Sequence, residues 1–187
     1  LAGDRARGLA FAGLDGRRPV LLVMGGSLGA AALNDVVRDT LPELLRERCV
    51  VHLCGRGRLH SSLQGVGGYR QFEFVGPELP DLLAAADLVV SRAGATALLE
   101  LLALRRPHVL VPLPRAASRG DQIENAAWSA EAGFSRVVPE AELEPRRLLA
   151  ELDALAAEAD ARRAAMAAFD AAGATERVVA ELRRLLA

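Results

Sequence analysis

The sequence contains no lysine. All 23 basic residues are therefore arginine, against 24 aspartates and glutamates, for a formal net charge of −1. That balance implies no whole-chain electrostatic attraction to nucleic acid or to an anionic membrane. Cysteine is scarce: Cys49 and Cys54 are the only two, at the ends of the apolar run CVVHLC. An extended strand would hold them too far apart for a disulfide. His52 is the one further metal ligand nearby, which is too few for a zinc site. Reduced, structural thiols are expected, as in a cytosolic protein. No apolar run reaches the roughly 18 residues of a membrane span. Internal repeats and low-complexity linkers are also lacking. The opening LAGDRARGLA is not a basic-then-apolar leader and has no start methionine before it, so a piece of a longer chain is expected.

What is present is a globular composition, 51% hydrophobic and 25% charged over 187 residues. This is enough for one domain with a core. The heavy use of alanine, leucine and arginine looks like the coding bias of a GC-rich genome, and arginine also suits ion-pair networks. Short apolar runs alternate with longer helical stretches. Strands are expected at 19–24, 49–54, 69–75, 87–91, 108–113 and 135–139, with helices near 29–45, 79–86, 95–105 and 121–132. Most of the runs are continuously apolar, as strands covered on both faces should be. The alternation predicts parallel βαβ units in a doubly wound, Rossmann-like α/β sheet of about six strands. From residue 141 to 187 the chain reads as a helical tail. Pro145 can open one helix, Asp160 can cap a second, and Thr175 can cap a third with an apolar stripe of Val178, Val179, Leu182, Leu185 and Leu186. Residues 1–187 read as a single domain.

Three junctions sit where ligands bind open parallel sheets, beyond the carboxyl ends of strands. The first is Gly25-Gly26-Ser27-Leu28-Gly29-Ala30, after the first strand. It lacks the Lys-Ser/Thr of a Walker loop and is not GxGxxG. It is either a plain tight turn or an anion cradle of backbone N–H groups at a helix start. The second is Ser91-Arg92-Ala93-Gly94-Ala95-Thr96, followed by the apolar helix in which Glu100 is the only charge before Leu104. Glu100 either faces solvent or accepts hydrogen bonds from ribose hydroxyls. The third is PRAASRGDQIENA, where Asp121, Gln122 and Asn125 either cap a helix or read sugar hydroxyls. The three histidines form no triad, paired carboxylates at catalytic spacing are lacking, and no residue stands out as a general base.

VMGGSLGAAALN, HLCGRG, DLVVSRAGATALLELLAL, HVLVPLP and DQIENA, in this order, resemble the carboxyl-terminal domain of the MurG glycosyltransferases over nearly the whole chain. The resemblance implies the carboxyl-terminal half of a GT-B fold and transfer of N-acetylglucosamine from UDP-N-acetylglucosamine to the lipid-linked muramyl-pentapeptide of peptidoglycan. It implies donor contacts from Gly26, Ser27 and Gly29, from the backbone of Gly94, Ala95 and Thr96 to the diphosphate, and from Glu100 to the ribose. It further implies a backbone contact from Val75 to uracil and contacts from Gln122, supported by Asn125, to the sugar. Leu28 departs from the Gln or Arg often found there, and Asp121 from the usual His or Gln.

The resemblance also implies an amino-terminal acceptor domain, which is expected to lie outside residues 1–187. With it the resemblance assigns elsewhere the catalytic base, the membrane patch and a donor-contacting arginine. It implies no cofactor, no metal and no nucleic-acid partner. Its partners are the donor, the acceptor domain and, through that domain, the lipid-linked acceptor and the inner face of the cell membrane. The isolated chain is expected to bind donor without turning it over. Two alternatives are the donor domain of another, split GT-B transferase and a non-catalytic Rossmann-type nucleotide-binding module. A dehydrogenase would want GxGxxG and an acid ending the second strand, where Cys54-Gly55-Arg56 stands instead.

Overall fold

In the computed structural model, which describes residues 3–26, 30–169 and 183–184, all six apolar runs form strands. They are β1 Val20–Met24, β2 Cys49–Leu53, β3 Tyr69–Phe72, β4 Leu88–Ser91, β5 His108–Leu110 and β6 Ser135–Val137. Every pairing is parallel and the order is β3-β2-β1-β4-β5-β6. β1 shows why the runs are continuously apolar. All five of its residues are buried. Leu21 and Val23 enter the core on one face, while Val20, Leu22 and Met24 enter the core on the other. A strand covered on both sides has no face to give to polar residues.

The first face is covered by α2 (Ala31–Asp39), α3 (Leu41–Glu47) and α7 (Pro145–Ala157), through Leu33, Val37, Leu44, Leu148, Leu152 and Leu155. The second is covered by α1 (Arg5–Ala12), α4 (Leu79–Ala85) and α5 (Ala95–Ala103), through Ala12, Leu82, Leu83 and Leu101. A third cluster joins Leu98 and Leu102 of α5 to Ala126 of α6 (Asp121–Glu131), Phe134, and Met166 of α8 (Ala159–Ala167). The tail through residue 169 thus packs on this sheet. The closing helix expected from Thr175 lies outside the described residues except at Arg183 and Arg184, which are helical.

Several expectations are corrected. The helix expected over 29–45 is two helices, α2 and α3. Thr40 joins them, and its hydroxyl donates to the carbonyls of Val36 (2.8 Å) and Val37 (3.0 Å). Pro42 in the first turn of α3 has no N–H to continue α2. Asp160 does not cap α8. The N-cap is Glu158, and Asp160 sits in the first turn, where its carboxylate pairs with Arg163 at 2.7 Å. β3 and β5 end earlier than their apolar runs, at Phe72 and Leu110. α1 had no sequence expectation. It is capped at its start by the Asp4 carboxylate accepting from Arg7 N (2.8 Å) and at its end by left-handed Gly13. It docks on α4, where Asp81 accepts from Asp4 N and pairs with Arg7.

The strand order places the topological switch between β1 and β4. Connections from these two strands leave in opposite directions, and the crevice between them opens at their carboxyl ends. The two glycine junctions flank that crevice.

Candidate functional site

A cleft of about 650 Å³ fills the crevice, within the range of about 300–1,000 Å³ usual for small-ligand sites. Its walls come from the ends of β1, β2, β3 and β4, the start of α5, and the β5–α6 connection.

The glycine pair after β1 has two separate reasons. A Cβ on Gly25 would lie 3.0 Å from Ala30 N and 3.2 Å from Ala30 Cβ, so its lack of a side chain lets the turn close on itself. Gly26 has φ 85°, a left-handed conformation that other residues adopt only under strain. Gly26 lies on the cleft wall. Ser27, Leu28 and Gly29 lie outside the described residues.

The second junction supplies donors. α5 starts at Gly94 with no side-chain cap, and its first helical bond runs from Leu98 N to Gly94 O at 2.9 Å. The amides of Ala95, Thr96 and Ala97 therefore have no partner within the helix, and all three residues line the cleft. The helix dipole adds positive potential there. Glu100, one turn beyond Thr96, lines the same wall while Leu98, Leu101 and Leu102 are buried. Among the described residues, nothing hydrogen-bonds or ion-pairs with its carboxylate.

Val75 is buried and also lines the cleft, three residues past the end of β3. Gln122 reaches it from the first turn of α6. Its side-chain oxygen accepts from Leu113 N at 3.1 Å, which leaves the amide N–H groups as donors to the cleft. Asn125 does not line the cleft. Its amide donates to the Ala93 carbonyl at 3.0 Å and so holds the turn before α5 from behind. Asp121 is exposed and likewise off the cleft wall.

Glu73, Phe74 and Arg92 are among the wall residues that had no role assigned from sequence. Glu73 accepts from Gly57 N at 2.9 Å, tying the β3 end to the loop after β2. Phe74 is 75% exposed, an apolar signal that a sequence pattern for a strand end conceals. Arg92 is buried although it stands in a glycine turn, where an arginine ordinarily reads as solvated.

The histidines stay out of the cleft. His52 is buried with Nδ1 3.0 Å from the Tyr69 hydroxyl and Nε2 2.9 Å from Asn34 Oδ1. Burial, with Arg38 adding to it, lowers its pKa to about 3. His108 is buried between the Arg106 carbonyl and the Ser135 hydroxyl, and burial lowers it to about 4. Cys49 and Cys54 are buried free thiols. Among the described residues, no group of three His, Cys, Asp or Glu is placed to hold a metal ion, and no helix is long and apolar enough to cross a membrane.

Comparison with known proteins gives the same direction. A relative in Bacillus anthracis named UDP-N-acetylglucosamine--N-acetylmuramyl-(pentapeptide) pyrophosphoryl-undecaprenol N-acetylglucosamine transferase 2 is 45% identical over 179 residues, 96% of this chain and 51% of that protein. The transferase of that name, without the final numeral, from Geobacillus thermodenitrificans is 55% identical over 141 residues, 75% of this chain and 40% of its own. The chain spans about half the length of the curated relatives it matches. The crystal structure of Acinetobacter baumannii MurG aligns with a TM-score of 0.74 at 25% identity, over 95% of this chain and 53% of that one. The calicheamicin glycosyltransferase CalG4 shares the fold, with a TM-score of 0.64 at 23% identity over 89% of this chain and 43% of its own. The profile of the glycosyltransferase family 28 C-terminal domain matches residues 20–181. The MurG-like motifs therefore stand on a MurG-like, Rossmann-type sheet, and the chain belongs to the family of glycosyltransferase family 28 C-terminal domains.

Proposed function

We propose that this chain is the donor-binding domain of a transferase that moves N-acetylglucosamine from UDP-N-acetylglucosamine to a lipid-linked muramyl-pentapeptide. The observation that carries the reading is one crevice with two opposite chemistries. Three unpartnered amides at the start of α5 suit a diphosphate, and the unpaired Glu100 carboxylate one turn further suits the two hydroxyls of a ribose.

In this reading Gly26, Ser27 and Gly29 contact the donor, Val75 meets uracil through its backbone, and the free amide of Gln122 reads a sugar hydroxyl. Asn125 serves by holding the Ala93 carbonyl. The reaction is a single displacement with inversion. The acceptor hydroxyl forms a bond to the anomeric carbon as the bond from that carbon to the diphosphate oxygen breaks. The electron pair leaves with UDP, and the amides of Ala95, Thr96 and Ala97 meet the charge that develops on the diphosphate. The hydroxyl proton goes to a base on the acceptor-binding domain. That domain belongs, in this proposal, to the longer protein of which residues 1–187 are one domain, the segment from 141 onward being its tail. It also brings the lipid-linked acceptor and the inner membrane face within reach, so the whole enzyme works at the cytoplasmic surface.

Calorimetric titration of this chain with UDP, UDP-N-acetylglucosamine, UDP-glucose and NAD tests the reading. Binding of UDP and UDP-N-acetylglucosamine, no binding of NAD, and no sugar transfer by the chain alone are expected. Failure to bind any uridine nucleotide, or turnover of a lipid-linked acceptor by this chain alone, would overturn it.

A further inference from the structure

Three side chains, those of Ser91, Arg92 and Asn125, fix the turn Ser91–Gly94 that opens α5 through four bonds. The Ser91 hydroxyl donates to the Arg92 carbonyl at 2.9 Å. Asn125, on α6, donates to the Ala93 carbonyl at 3.0 Å. Arg92 supplies the other two. Its side chain is only 9% exposed. One terminal nitrogen donates to the Val111 carbonyl, just past β5, at 3.0 Å. The other pairs with the Glu140 carboxylate, in the single helical turn Glu140–Glu142 that leads into α7.

A buried guanidinium is a costly way to fill space. Desolvation of the charge is recovered only through close pairing, and an apolar side chain of similar volume often does as well. Here even the pairing is incomplete, because the Arg92 Nε is buried without a partner among the described residues. Filling the core does not account for this arginine. What it does uniquely is brace one turn against two elements at once. A guanidinium is a rigid fork that can hold two acceptors in fixed directions, which a lysine ammonium on a flexible stem cannot. The braced turn is the one whose next three amides face the cleft.

We propose that the Arg92–Glu140 pair is a positioning device that fixes the direction of the Ala95, Thr96 and Ala97 amides toward the donor diphosphate, and so makes diphosphate binding depend on the turn Glu140–Glu142 between β6 and α7. This rests on the nucleotide-sugar reading of the cleft. Glu140 neutralises Arg92 within the fold, so the pair acts through geometry and the amides supply the attraction. Arg92 is a positioning residue, not a ligand of the substrate. Uracil and ribose contacts from Val75 and Glu100 lie outside the braced turn, so they should be insensitive to the pair.

The test compares UDP with uridine, which lacks the diphosphate, by calorimetry on wild type, Arg92→Lys and Glu140→Gln, with thermal unfolding as the check on folding. Arg92→Lys keeps the charge but loses the fork, and should weaken UDP about tenfold while leaving uridine unchanged. Glu140→Gln keeps an acceptor on a partly exposed side chain, and should weaken UDP about threefold, again with uridine unchanged. The amide resonances of Ala95–Ala97 should shift in both variants. If Arg92→Lys does not fold, Glu140→Gln carries the test on the same terms. Equal losses for UDP and uridine, or no loss for either, would overturn the inference and make the pair an ordinary structural brace. A wild-type chain that binds uridine nucleotides beside unresponsive variants overturns only this inference. A wild-type chain that binds none overturns the reading of the cleft and this inference together.

Discussion

Glu100 is the residue on which the candidate site most depends. A lone carboxylate among leucines raised two readings from sequence, and the burial of Leu98, Leu101 and Leu102 turns the charged side onto the cleft wall. Glu100→Ala should weaken UDP binding by about 1–3 kcal/mol, the scale of hydrogen bonds to a charged group, without lowering the unfolding temperature. Calorimetry beside a melting curve checks this, and an unchanged affinity would return Glu100 to the role of a solubilising charge. Gln122 was legible for a similar reason, as a polar group at a helix start on the strand rim. Asn125 was legible as part of the same motif, but its direction was not. One helical turn separates a side chain that faces the cleft from one that faces the preceding junction, and only the packing of α6 decides between them. Arg92 was not legible at all. Local sequence cannot tell a solvated arginine from one whose counter-charge, Glu140, lies 48 residues away.

At the scale of elements, α1 shows how a short helix can escape a reading based on apolar periodicity. Its sequence, RARGLAFA, buries only Gly8 and Ala12. Its stability comes instead from caps at both ends and from close approach to α4. A Cβ on Gly8 would collide with the backbone carbonyl of Asp81, which cannot move without shifting α4. Gly8→Ala should therefore destabilise the fold by about 1–3 kcal/mol, the usual cost of overpacking, although alanine favours helix intrinsically. Urea denaturation checks this, and a neutral or stabilising result would mean that α1 does not pack tightly on α4. The tail shows the use of arginine over lysine. Arg136 pairs with both Glu151 and Glu158, Arg162 joins Glu158 at 2.8 Å, and Arg147 joins Glu151 at 3.0 Å. These forks bridge β6, α7 and α8, which is how the helices after residue 141 become part of the sheet's cover.

At the scale of the whole molecule, the two buried histidines set a pH dependence. Asn34 donates to the Cys54 carbonyl, so its oxygen accepts, His52 carries its proton on Nε2, and Nδ1 accepts from Tyr69. His108 donates through Nδ1 to the Arg106 carbonyl and accepts from Ser135. Both are complete as neutral rings. Their folded pKa values, about 3 and about 4, lie below the ordinary 6.5. Above that value neither state binds a proton and the histidines contribute no slope. As the pH falls below it the unfolded chain takes up protons that the folded chain refuses, so stability is lost toward the folded values, by up to about 1.4 kcal/mol per pH unit for each histidine. Urea midpoints measured from pH 7 to pH 5 should fall, and His108→Gln should flatten the fall. A midpoint that holds steady over that window would mean that the imidazoles can be protonated in place.

The sequence by itself determined the elements and their class. Short, continuously apolar runs suit strands in a sheet covered on both faces, and their alternation with helical stretches suits parallel βαβ units, so the doubly wound form follows from local composition and connection length. Glycine junctions at strand ends then marked the rim where a ligand would bind. Only the tertiary structure decided which parts of that rim become neighbours. The order β3-β2-β1-β4-β5-β6 brings Gly26, Val75, Thr96, Glu100 and Gln122 around one cleft. It also put Glu140 beside Arg92 and folded the tail onto the sheet. The physical reason is that periodicity along a chain records which face of an element is buried. The element that buries it is chosen by long-range packing.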